Sequence, residues 1–149
     1  MRDALIPVLL AALVMPCTPA AAGSALAQAA PAFDAAGTNA ASVTAFLKSL
    51  QTAVAIGNRL KVASLVHFPV KARINGEETT IDNESEFQAR YSRIFDADMK
   101  KALAEAKVDT LFASQQGVMF DKGRVWFRPV VEHKNAIKIV AFNDPGQAK

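Results

Sequence analysis

Apolar positions along this chain fall first at helical spacing and then at alternate positions, so helices precede strands. Val43, Phe46, Leu47, Leu50 and Val54 recur at intervals of three and four, which predicts an amphipathic helix capped by Ser42 or Thr44. Gly57-Asn58 breaks it. A second short helix carrying Leu60, Val62, Leu65 and Val66 ends at Phe68-Pro69, because the residue before proline avoids helical backbone. Val70, Ala72 and Ile74 alternate with Lys71 and Arg73, turn at Asn75-Gly76 and return through Thr79-Thr80-Ile81, the pattern of a hairpin. Asn83 followed by Glu86 resembles a capping box for a third helix with Phe87, Tyr91, Ile94 and Phe95 on one side. Asp96 or Asp98 restarts a short helix, Met99 to Ala106. Strands follow over Leu111 to Phe120, Arg124 to Val131 and Ala136 to Phe142, with a polar turn at Glu132-His133-Lys134-Asn135. The class this predicts is α+β, with helices packed on one face of a curved antiparallel sheet.

The stretch Gly117 to Pro129 holds the only tryptophan and reads as a second hairpin. Asp121-Lys122-Gly123 serves as a three-residue loop with glycine at the left-handed position. That loop would pair Phe120 with Arg124, Val118 with Trp126 and Gln116 with Arg128. One face then carries those six residues, and the other the purely apolar set Met119, Val125 and Phe127. A tryptophan beside Arg128 and Gln116 suits an anionic or aromatic ligand, through stacking and charged hydrogen bonds. A packing residue or a subunit contact gives the same pattern. All three readings stay open here.

The first residues change the picture of where the chain works. Met1-Arg2-Asp3, the apolar run Ala4 to Met15 and the small-residue site at Ala25-Leu26-Ala27 form the pattern of a secretory signal. The run is too short to span a bilayer, which takes roughly 20 apolar residues, so no stable membrane insertion is expected. Cleavage near Ala27 would send the chain to the periplasm or the medium. Cys17, the sole cysteine, lies inside this signal, and Met15-Pro16 ahead of it fits a lipid-anchor pattern poorly. The mature chain would then hold no disulfide, and its stability must come from an apolar core. Residues 28–40 are rich in Ala, Pro, Gly and Thr and read as a flexible leader; 41–143 read as one domain and 144–149 as a tail. The net charge of +3 arises from 17 basic and 14 acidic residues that are interspersed, which excludes the clustered basic face of a nucleic-acid binder.

Candidate chemistry is sparse. His67 and His133 are the only histidines and form no metal-ligand spacing, so neither metal nor cofactor is expected. Ser114 stands in a strand without a nucleophile elbow or other activating motif. For acid–base work the inward candidates are Tyr91, with Asp96 and Asp98 nearby at positions suited to helix capping. The strand Leu111 to Phe120 presents no acid before Asp121.

An amphipathic first helix, a short second one, an early hairpin, a third helix and a meander containing Gly117-Val118-Met119-Phe120 and Gly123-Arg124-Val125-Trp126-Phe127 resemble the nuclear transport factor 2-like superfamily. That superfamily includes ketosteroid-isomerase-like and SnoaL-like proteins, and the resemblance covers roughly 41–142. It looks most like small exported bacterial members without a common activity. The resemblance implies a cone, with helices on the concave face of a bent sheet, a pocket at its wide end and frequent dimerisation through the sheet. The catalytic residues of the superfamily's enzymes find no matching positions in this chain. The expectation is therefore an exported, non-enzymatic module that binds a small molecule or an envelope protein, with a homodimer through the sheet as a further expectation. Tyr91, Phe95, Gln116, Trp126 and Arg128 are its candidate binding residues. The alternative is a small acid–base enzyme of isomerase or dehydratase type using the same pocket.

Overall fold

The computed structural model describes residues 32–144; the predicted signal, Cys17 and positions 145–149 of the tail lie outside them. The first element is a 3-10 turn, Phe33–Ala36, which places Phe33 in the core. Phe33, within the stretch expected to be a flexible leader, is thus anchored in the core. Helix α1, Ala40–Ala55, buries Val43, Phe46, Leu47, Leu50 and Val54 along the predicted stripe. Its cap is Asn39 rather than Ser42 or Thr44: the Asn39 side chain accepts from the Ser42 amide at 2.9 Å. Helix α2, Arg59–Ser64, is capped by Asn58 and buries Val62 and Ala63, but leaves Leu60 outside. It also ends sooner than expected. Strand β1, Val66–Ile74, begins at Val66 and runs through the cis Phe68-Pro69 peptide.

Strand β2, Glu77–Ile81, returns from β1 through Asn75 and Gly76, both at positive φ as a two-residue hairpin requires. Helix α3, Glu84–Ile94, is capped by Asn83 and packs Phe87, Tyr91 and Ile94 inward. Glu86 completes the reciprocal bond one residue early, accepting from the Asp82 amide. Helix α4, Ala97–Glu105, is capped by Asp96. The segment read as one strand, Leu111 to Phe120, is two: β3, Phe112–Ser114, turns at Gln115-Gln116 into β4, Gly117–Phe120. Strands β5, Val125–Val130, and β6, Ala136–Asn143, complete the sheet.

Over the described residues the architecture is α+β, with four α-helices and an open six-stranded sheet in the order β2-β1-β6-β5-β4-β3. The sheet is mixed, where an antiparallel one was expected, because β6 lies parallel to β1. The last strand thus joins the early hairpin to the later meander. One face forms the core: Phe120, Val125, Phe142 and Ala72 are register neighbours across four strands, and all are buried. Phe46 of α1 packs on Phe127 at 4.8 Å between ring centroids, and Phe87 of α3 stacks on Phe142 at 5.8 Å.

Candidate functional site

The β4–β5 hairpin decides which side chains reach the other face. Its observed pairs are Phe120 with Val125, Met119 with Trp126 and Val118 with Phe127, one residue away from the predicted register. The reason lies in the turn. Asp121, Lys122 and Gly123 all take positive φ and Arg124 follows at φ −65°, so four residues separate the paired ends instead of three. Because side chains alternate along a strand, this slip moves β4 to the opposite face. Val118 and Phe120 enter the core with Val125 and Phe127, while Met119 joins Trp126 outside. Gln116 leaves the predicted pair with Arg128 altogether and stands exposed in the β3–β4 turn. The position opposite Arg128 falls to Gly117, where a Cβ would lie 2.8 Å from the Phe127 carbonyl oxygen.

The outer face then carries one continuous row. Phe112, Met119, Trp126, Ala141, Lys71 and Thr80 are successive register partners across all six strands. Phe112 is 55 % exposed; Met119, Trp126 and Ala141 are half-buried; Lys71 and Thr80 are exposed. Trp126 and Met119 close over the hairpin turn, within 3.5 Å and 3.6 Å of where a Cβ on Gly123 would stand. At the β2-β1-β6 end the row opens into a recess of about 420 Å³ lined by Lys71, Arg73, Glu78, Thr80, Ala141 and Asn143. Arg73 pairs with Glu78 across the hairpin. Lys71 has no such partner among the described residues, so its charge faces the recess uncompensated. A flat apolar surface beside a free ammonium suits a partner with an apolar or aromatic group and an anionic one.

The other candidates lie elsewhere. Tyr91 and Phe95 are 3 % and 1 % exposed, stacked on one another at 5.0 Å and packed with Phe87 on the core side of the sheet. Neither lines the recess beside Lys71. The Tyr91 hydroxyl is buried without a hydrogen-bond partner among the described residues. Burial pushes its pKa above the ordinary 10.0, and the guanidinium of Arg59, 5.1 Å from the ring centroid, pulls the other way. The structure thus brings Trp126 and Arg128 together on one face of β5 and separates both from Tyr91 and Phe95.

Asp96, Arg124 and His67 each meet another side chain, although the buried His67 Nδ1 has no hydrogen-bond partner among the described residues. Asp96 accepts from the Met99 amide at 2.7 Å as the cap of α4 and pairs with Arg124 at 3.3 Å. Arg124 also reaches Asp121 at 3.4 Å, so it ties the hairpin turn to α4 instead of facing a ligand. His67 and His133 meet edge to face at 5.4 Å, and His67 shares a recess of about 280 Å³ with Arg128 and Glu132. Among the described residues no group of three or more His, Cys, Asp or Glu side chains is placed to hold a metal, and no helix is long and apolar enough to cross a membrane.

Lys71, Thr80, Met119 and Phe112 belong to the outer row and were not legible as site residues. The alternation of Lys71 and Arg73 with apolar neighbours marks a half-exposed strand. Joining that strand to the tryptophan needs the parallel β1–β6 pairing, which leaves no local trace. Comparisons with protein-family models, with curated proteins and with solved structures return no match.

Proposed function

We propose that this chain is an exported, non-enzymatic binding module whose ligand, a small molecule or a segment of an envelope protein, docks on the outer face of the sheet. The observation that carries the reading is the row Phe112, Met119, Trp126, Ala141 and Lys71, an apolar surface that ends at a free cation and an open recess. The recess falls within the roughly 300–1,000 Å³ typical of ligand sites. A nuclear transport factor 2-like origin is part of the proposal and is supported by the element order and the α+β class. The acid–base alternative draws no support from Tyr91, because Asp96 and His67 are engaged with Arg124 and His133 instead.

The test is mass spectrometry of small molecules and peptides retained by the chain purified from its natural compartment. A retained species bearing an apolar or aromatic group and an anionic one is expected. Trp126→Ala and Lys71→Gln should each release it while the thermal transition survives. Retention unchanged in both variants would remove the outer face as the site. A homodimer through this face is the second reading, and the 55 % exposure of Phe112 favours it. Twice the chain mass in light scattering, reduced to one by Phe112→Glu, would put a second copy there in place of the ligand.

A further inference from the structure

The turn between α1 and α2 projects a different surface. Residues 55–61 are all exposed, and they include Ile56 at 70 % and Leu60 at 62 %. Apolar side chains of this size left in water on one turn have a cost that a partner can remove. Ile56 forms a ridge between two recesses. Lys48 and Lys61 line the first with it, and Lys100 lines the second. Arg59 lies between Ile56 and Leu60 in the chain, but its guanidinium sits over the Tyr91 ring and is not counted with these lysines. No acidic residue occurs from Ala35 to Gly76. On α4, Asp98 and Glu105 fall on the far side from Lys100, two and five residues away at about 3.6 residues per turn.

We infer that this turn is a peripheral docking site for an anionic lipid bilayer, with Ile56 and Leu60 entering the interface and Lys48, Lys61 and Lys100 meeting the headgroups. The chemistry favours lipid over protein. Protein interfaces are depleted in lysine and anchored by aromatic residues, whereas this patch is lysine-rich and its apolar residues are aliphatic. Lysines around apolar side chains that enter the headgroup boundary, leucine among them, are the composition of an interfacial anchor. The inference is independent of the sheet face, which uses none of these residues.

Hydrogen exchange of the full chain with vesicles tests it. The probe is phosphatidylcholine with 30 % phosphatidylglycerol, set against pure phosphatidylcholine. Peptides covering 55–61 should slow with the anionic vesicles and remain unchanged with the neutral ones. Any contribution of the apolar run Ala4 to Met15 is read separately in its own peptides. Ile56→Ser with Leu60→Ser should abolish the slowing at 55–61 while peptides from β5 and β6 keep their rates, which certifies the fold. Each of Lys48→Gln, Lys61→Gln and Lys100→Gln should weaken the effect about fivefold in lipid concentration. Three results would overturn the inference: no slowing with anionic vesicles, equal slowing in the double variant, or slowing with polyglutamate and none with vesicles.

Discussion

Tyr91 shows at a single side chain how core packing and polar satisfaction compete. Its ring supplies stacking with Phe95 and an edge contact with Phe87, yet its hydroxyl gains no partner among the described residues. Leaving such a group buried costs about 1–3 kcal/mol, whereas removing it can be neutral. Tyr91→Phe is therefore expected to leave stability at neutral pH unchanged or raise it by up to about 1 kcal/mol. The hydroxyl's folded pKa lies above the unfolded value of 10.0, so the folded chain keeps a proton that the unfolded chain releases. Stability from this residue is intact below that value and is lost as pH rises through the folded pKa. Urea midpoints on both sides of pH 10 should show the alkaline loss in the wild type and a shallower one in Tyr91→Phe. A clear destabilisation by the substitution at neutral pH would mean that the hydroxyl has a partner after all.

At the scale of elements, the adjacent residues Trp126 and Phe127 report the register of the β4–β5 hairpin. Phe127 is 1 % exposed and packs on Phe46, so Phe127→Ala should cost the ~3–5 kcal/mol of a large core truncation. Trp126 is half-buried on the outer face, and Trp126→Ala should cost less than about half of that. Equal costs in denaturant titrations would contradict the assigned faces. The difference from the expected register has a local cause in Arg124, whose helical φ/ψ adds it to the turn. Elements specified by their own residues were legible: the α1 stripe, the Asn83 cap and the Asn75-Gly76 turn, whose two residues tolerate positive φ. The β3–β4 hairpin was hidden because Gln115-Gln116 carries no turn signature, and only Gly117 at φ +133° hints at it. Of the candidate site, Trp126 and Arg128 could be placed together from strand alternation alone. Lys71 could not be added, since its tie to Ala141 spans the sheet between segments far apart in sequence. Tyr91 and Phe95 share a helical stripe that fits a pocket wall as well as a core, and here it is core.

For the whole molecule, the two sides of the sheet divide the work. One side takes the helices and the buried Val118, Phe120, Val125, Phe127, Ile139 and Phe142, and the other carries the row centred on Trp126. The strand that holds both sides together is the final one. β6 lies between β1 and β5, so without 136–143 the chain has only a β1–β2 ribbon and a β3–β4–β5 ribbon with no strand pairing between them. Two- and three-stranded ribbons are marginal by themselves. A chain ending at Asn135 should accordingly show no cooperative thermal transition, and a sharp transition in that truncation would refute this dependence. The consequence is one of timing during synthesis. At about 5–20 residues per second, every strand made earlier waits on the ribosome until 136–143 has been delivered and β6 can bridge β1 and β5.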